Sequence, residues 1–227
     1  MIDIHTHVLF SVDDGCEDIS QSIDMLKDAY FKGVTDIILT PHSNRKYQTK
    51  VDDIKEKFDI LKAEIKKQNV PINLYLGQEI YVKFFSEEKL FIGDIISLND
   101  TPYVLIEYPF IDQYEIVESV YDIHRKGLIP IVAHYEKYMT ASIYEASEIK
   151  QAGGLIQIDA DSFLPFNRAK KLVKGLLKED LIDFIASDVH INRKNVIDYA
   201  YKYVVKKQGE KVAEKIFIKN AEKIIKG

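Results

Sequence analysis

The 227-residue chain has no tryptophan and one cysteine, Cys16. A single thiol cannot close an internal disulfide, so a reducing compartment is the natural setting and a cytoplasmic location is expected. Nothing approaches the roughly 20 consecutive apolar residues of a membrane-spanning helix, and direct membrane insertion is not expected. The amino-terminal segment lacks the basic stretch and apolar run of a secretion signal. Positive charge is in deficit: 31 Lys and Arg stand against 36 Asp and Glu, for a net charge of −5. Gripping phosphates along a nucleic acid needs a basic face, so no nucleic-acid partner is expected. A Gly-rich nucleotide loop is also missing, because the Gly153-Gly154 pair is not followed by Lys-Ser/Thr.

What is present is ordinary for a soluble globular chain, with 46% hydrophobic and 30% charged residues. There is no internal repeat and no low-complexity linker, and the length suits a single domain over 1–227. Apolar, β-rich runs fall at 2–4, 34–39, 72–76, 103–106, 128–133, 155–158 and 182–186. They are continuous rather than alternating, as expected of parallel strands covered on both faces. Helical spacing lies between them: Ile19, Ile23, Leu26 and Tyr30 form one stripe, and Ile54, Phe58, Leu61 and Ile65 another. Gly33, Gly127 and Gly153-Gly154 stand where helices should stop. Seven β/α units in this length predict an α/β fold. A seven-stranded barrel slightly smaller than the eight-stranded type is one form of it. A doubly wound open sheet satisfies the same periodicity. The Lys-rich stretch from Lys206 to Lys226 reads as the solvated face of a terminal helix.

The polar residues then fall into a pattern. His5 and His7 stand two apart on the first run, so in a strand both imidazoles project from one face. His42 follows the second run, Glu79 the third, and Glu107 ends the fourth. His134 ends the fifth, while Asp188 and His190 end the seventh. Five of the six histidines thus sit at strand ends, where β/α barrels carry their active sites. With Asp14 in the loop after the first strand, that makes nine candidate ligands at one mouth. Nine suffice for two or three divalent ions sharing carboxylates. Singly, a His-x-His pair or a strand-end Glu is weak evidence; the shared position is what exceeds chance. His124, inside a helix, is expected to be structural or superficial.

Imidazole mixed with carboxylate, and no thiolate, suits manganese, iron, zinc or magnesium. Three such ions would outweigh the four carboxylates and favour an anionic substrate. Paired metals acidify a bridging water and clamp an in-line displacement, the chemistry of phosphate-ester hydrolysis.

The segments Met-Ile-Asp-Ile-His-Thr-His, Val-Asp-Asp-Gly, Thr-Pro-His, Gly-Gln-Glu-Ile, Leu-Ile-Glu-Tyr-Pro-Phe and Ala-Ser-Asp-Val-His together carry a resemblance. The chain resembles the PHP (polymerase and histidinol phosphatase) superfamily along essentially its whole length. More narrowly, it is similar to the bacterial protein-tyrosine phosphatases of capsule and exopolysaccharide operons. The resemblance implies a distorted seven-stranded (β/α) barrel holding three metals, usually Mn2+. It implies a phosphomonoesterase that removes phosphate from a phosphotyrosine-bearing protein, a bacterial tyrosine kinase controlling polysaccharide assembly. Carried over by motif, His5, His7, Glu79 and Asp188 would hold one metal. Glu79 would bridge to a second held with Glu107 and His134. Asp14, His42 and His190 would take the third. Metal-bound hydroxide is then expected to attack phosphorus directly.

The surroundings depart from the family's pattern. Tyr81 stands where Gly-Gln-Glu-Ile-Arg would place an arginine. His134-Tyr135-Glu136-Lys137 replaces His-Pro-Glu-Arg, and Asn195 occupies a further arginine position, with Arg193 nearby. Lys137 and Arg193 are therefore the candidates for gripping phosphate, although a lysine offers a point charge rather than a planar fork. Histidinol phosphate is the alternative substrate. A catalytically weak kinase-docking protein is the alternative of another class. An amidohydrolase also opens with His-x-His but commonly uses a bridging lysine where Glu107 stands, and ranks below both. Cys16 is no rival nucleophile, since thiol phosphatases need an arginine six positions on and Ser22 is there.

Overall fold

A computed structural model describes residues 1–82, 95–110 and 114–227. Strands and helices alternate along it. β1 (Ile2–Thr6) leads to α1 (Ile19–Phe31), then β2 (Asp36–Leu39), β3 (His42–Ser43) and α2 (Val51–Lys67). β4 (Asn73–Leu76), β5 (Glu79–Tyr81) and β6 (Tyr103–Glu107) precede α3 (Ile116–Arg125). β7 (Ile129–Val132), α4 (Ile143–Gln151), β8 (Leu155–Asp159), α5 (Lys170–Lys178) and β9 (Phe184–Ala186) follow. α6 (Ile197–Gln208), α7 (Glu210–Glu214), a π-turn and α8 (Asn220–Lys226) end the chain.

Among the described residues every pairing is parallel, in a three-stranded sheet β1-β2-β4 and a six-stranded sheet β3-β5-β6-β7-β8-β9. The seven expected runs each hold a strand, but the described residues contain nine strand segments. Thr40-Pro41 separates β2 from β3 and Gly77-Gln78 separates β4 from β5. Proline has no N–H to give a ladder, and glycine weakens a strand. The backbone still bonds across both breaks, Gly77 N to Leu39 O at 2.9 Å and Glu79 N to Pro41 O at 3.2 Å. A bridge between Thr6 and Val189, with Asp188 N donating to His5 O at 3.0 Å, brings the segment after β9 against β1. An open doubly wound sheet keeps its edge strands apart. This sheet curls.

The strands feed two cores, as the unbroken apolar runs require. Ile37, Leu39, Val104, Ile106, Val132 and Ile185 lie in the larger one. Their neighbours Ile38, Leu105, Ile131, Phe184 and Ala186 lie in a second, with Ala221 and Ile224 of α8. Alternation between two buried layers is how parallel strands come to be apolar throughout. Helix ends follow local chemistry. Asp18 caps α1 by accepting from Gln21 N, and Ser142 caps α4 by accepting from Glu145 N. Ile23 and Leu26 of the α1 stripe are buried, whereas Tyr30 is exposed.

Candidate metal centre

His5 Nε2 and His7 Nε2 stand 3.2 Å apart. Glu79 Oε2 lies 3.4 Å from the first and 3.3 Å from the second. Asp188 Oδ1 lies 3.4 Å from each. Donor atoms sharing one divalent ion at about 2.0–2.2 Å stand about 3–3.5 Å from one another, and these spacings match. Glu79 turns its other oxygen away: His134 Nε2 lies 2.8 Å from Oε1 and 3.8 Å from Glu107 Oε1. On the opposite flank, His42 Nε2 and His190 Nε2 each lie 3.5 Å from Asp14 Oδ1.

Among the described residues, four clusters thus have donor atoms within 4.8 Å of one another. They are His7, Asp14, His42 and His190; His5, Glu79 and His134; His5, His7 and Asp188; and His42, Glu79 and Glu107. All nine residues named from the sequence occur in them. Glu107 groups with His42 and Glu79, and its Oε1 lies 3.8 Å from His134 Nε2. The donor set is the one hard or borderline divalent ions take. Two buried atoms, His42 Nδ1 and Glu79 Oε2, face each other at 2.8 Å without a hydrogen bond. A cation would satisfy both. The residues fit a multinuclear divalent centre.

A second layer sets the tautomers. His5 Nδ1 lies 3.1 Å from Gln157 Oε1, His7 Nδ1 2.7 Å from Asp13 Oδ2, and His190 Nδ1 3.1 Å from Asp188 O. Donation from Nδ1 to these oxygens leaves each Nε2 lone pair for a ligand. Asp13 also accepts from His42 N at 3.0 Å and Gly15 N at 3.0 Å. Gly15 is obligatory here, since a Cβ on it would lie 1.8 Å from His7 O. That close approach folds the Val-Asp-Asp-Gly loop onto His7. His134 and Asp188 hold left-handed backbone, at φ 32° and 46°. Such strain in non-glycine residues persists where surroundings over-determine it. Here His134 N donates to Gln157 Oε1 at 2.8 Å and Asp188 N to His5 O.

The charges are strongly coupled. Burial would depress the His5 imidazole, but Glu79 and Asp188 outweigh it and lift it to about 9. Burial would raise Asp13, yet His7 and the hydrogen bonds it accepts hold it near 2. Glu107 is pushed up to about 7 by burial and by the charge of Glu79. The centre is rich in negative charge and draws cations to itself.

Lys137 and Arg193 converge on one edge of it. Lys137 Nζ lies 2.5 Å from Asp159 Oδ2 and 2.9 Å from Asp188 Oδ2. Arg193 Nη1 donates to Asp188 O at 2.9 Å and to Asp188 Oδ2 at 2.6 Å. His124 lies apart, its Nδ1 3.2 Å from Leu128 O and its ring against Gly153. Cys16 is buried beside Met25 Sδ at 3.2 Å, and burial pushes its thiol up to about 11. Sequence reasoning missed Asp13, Gln157 and Asp159. The signal for the last two was available, because they are polar at alternate positions of the otherwise apolar Leu-Ile-Gln-Ile-Asp run.

A family model for capsular polysaccharide synthesis proteins, CpsB/CapC, matches residues 1–226. The chain belongs to the CpsB/CapC family. It is 33% identical to the tyrosine-protein phosphatase CpsB of Streptococcus agalactiae serotype III, covering 100% of this chain and 98% of that one. Identity to the tyrosine-protein phosphatase YwqE of Bacillus subtilis is also 33%, over 100% of this chain and 92% of that one. A crystal structure described as one of the unique metal-dependent tyrosine phosphatases YwqE and CpsB superposes with a TM-score of 0.90. That match has 33% identity and covers 100% of this chain and 94% of the other. Histidinol phosphate phosphatase from Lactococcus lactis superposes at 0.59 with 18% identity, over 92% of this chain and 93% of that one, a likeness of fold alone. The resemblance expected from the motifs is thus confirmed at the level of family.

Proposed function

We propose that this CpsB/CapC protein is a metal-dependent protein-tyrosine phosphatase. The observation that carries this reading is the convergence of nine imidazole and carboxylate ligands in a chain alike over its full length to such enzymes. His5, His7, Glu79 and Asp188 would hold one ion. Glu79, Glu107 and His134 would hold a second, and Asp14, His42 and His190 a third, with manganese the expected metal. When bound, such ions supply Lewis acidity and an acidified water.

The chain's own residues do the rest. Asp13 and Gln157 lock two ligand imidazoles, and Glu79 spans two sub-sites with its two oxygens. Lys137 has three N–H donors and Arg193 five. Both carry donors beyond those engaged by the carboxylates, and these reach for the phosphoryl oxygens. A water oxygen would bond to phosphorus as the phosphorus–tyrosyl oxygen bond breaks, with one proton of that water ending on the departing tyrosyl oxygen. A phosphocysteine has no place here, because the Cys16 thiol is buried and stays protonated.

The nine strand segments read as a seven-stranded distorted barrel in which β2–β3 and β4–β5 are each one interrupted strand, within one domain over 1–227. The physiological partner would be a phosphotyrosine-bearing kinase of polysaccharide assembly, met in the cytoplasm. No described helix is long and apolar enough to cross a membrane. Assay of a phosphotyrosine peptide and histidinol phosphate side by side, with added manganese, tests the reading. Preferential turnover of the peptide is expected. Preference for histidinol phosphate would make it a small-molecule phosphatase, and inertness towards both would make it a docking protein.

A further inference from the structure

Asp159 is fully buried at the end of β8, outside all four donor clusters. Its Oδ1 accepts from Gln157 Nε2 at 3.0 Å. The same Gln157 holds His5 Nδ1 through its Oε1. Asp159 Oδ2 makes no hydrogen bond of good geometry and is satisfied by charge, with Lys137 Nζ 2.5 Å away and Arg193 Nη1 at 3.7 Å. Lys137 Nζ in turn grips Asp188 Oδ2, whose other oxygen faces His5 and His7. The path His5–Gln157–Asp159–Lys137–Asp188 therefore closes a ring on the two ligands it joins.

We propose that Asp159 is a positioning residue of the metal centre: the buried counter-anion that lets an ammonium sit against Asp188, and the anchor that holds Gln157 on His5. An ammonium beside a ligand carboxylate competes with a metal for its charge. Lys137 Nζ attracts Asp188 Oδ2 at 2.9 Å, and a cation held at the carboxylate's other oxygen would be repelled across that one group unless a further anion neutralises the ammonium. Asp159 is that anion. Outer partners of this kind are typically worth about 10–100-fold in metal affinity.

The inference rests on the metal-centre reading above and has its own signature. Manganese binding is measured by calorimetry and elemental analysis on full-length protein first stripped with chelator. Asp159→Asn keeps the shape and an acceptor for Gln157 but strands the ammonium, and should weaken manganese binding about 10–100-fold. Lys137→Met alone should bind manganese as tightly as wild type or more tightly. The double variant Lys137→Met/Asp159→Asn, neutral at both positions, should return to within about threefold of wild type, since residues that act through each other are non-additive. Wild-type affinity in Asp159→Asn, or a double variant as weak as that single one, would overturn the inference. Were Asp159→Asn not to fold, Lys137→Met decides alone: binding tenfold weaker than wild type overturns it, and equal or tighter binding supports it. Wild-type protein that bound no manganese would instead overturn the metal-centre reading, and this inference with it.

Discussion

Asp188 faces two regions of opposite character. Toward His5 and His7 its Oδ1 meets imidazole nitrogens at 3.4 Å, and the neighbouring Glu79 Oε2 has no hydrogen bond. Toward Lys137 and Arg193 its Oδ2 makes contacts of 2.9 and 2.6 Å with permanent cations. The first side is spaced for a guest; the second is already satisfied by the chain. The imidazole side is fully buried and the cationic side partly exposed, with 29% of the Lys137 and 37% of the Arg193 side chain accessible, but both are charged, so charge alone does not mark the metal side. What marks it is unspent valence, donor atoms held at ligand spacing by an outer layer that has fixed their tautomers. The cationic side supplies the support and, in the proposed reaction, the charge that meets phosphate.

Breaking the imidazole side should have the largest effect. Excess chelator should abolish hydrolysis of a phosphotyrosine substrate, and manganese should restore it. Full activity in chelator, with elemental analysis showing no metal, would end the metal-dependent reading. Glu79→Gln should be nearly as severe, because one residue serves two sub-sites and an amide offers a single neutral acceptor. Its measured manganese content should fall by more than one equivalent. Retention of the full metal complement would show that Glu79 does not bridge.

Breaking the cationic side should cost less and leave metal in place. A charge-assisted hydrogen bond is worth roughly 1.5–3 kcal/mol. Lys137→Ala should therefore lower kcat/KM about 10- to 150-fold if the bond to phosphate forms in the transition state. Lys137→Arg should retain or raise activity, since a guanidinium can bind phosphate bidentately. Arg193→Ala should fall in the same range. It removes two contacts to Asp188 but no metal donor, so metal content should hold. Steady-state kinetics paired with metal analysis separates the two roles. An alanine variant of Lys137 with wild-type kcat/KM would remove that residue from substrate binding.

The ease of reading these two sides from sequence differed for a physical reason. The candidate ligands were legible because strand periodicity fixes direction: i and i+2 share a face, and strand ends meet at one rim. His5, His7, His134 and Asp188 followed from that alone. The interruption of two strands was less legible, since Thr-Pro and Gly-Gln read as strand ends until their neighbours are seen bonding across them. The cationic side was the hardest to read. Nothing in the spacing of Lys137, Asp159 and Arg193 announces that they meet, because their proximity comes from the lateral order of β7, β8 and β9 in the curled sheet. Asp159 was marked in sequence as a polar residue ending an apolar run, but its partner Lys137 was not marked with it.

The smallest expected effect lies outside both regions, at Cys16. Its thiol is buried against Met25, and burial has raised it to about 11, so at neutral pH it is protonated and shielded. A nucleophilic thiol needs the reverse, a depressed pKa and access to substrate. Cys16→Ser should leave kcat/KM within a few-fold of wild type. It should lower thermal stability modestly, because a hydroxyl beside a thioether in a buried setting is poorly satisfied and such burial costs about 1–3 kcal/mol. Melting temperature and turnover measured on the same preparation then move apart: the first falls while the second holds. A variant that melts like wild type but has lost turnover would put a thiol into the reaction. Direct displacement by water would then have to be abandoned, and the imidazole side of Asp188 would become a support for chemistry performed elsewhere.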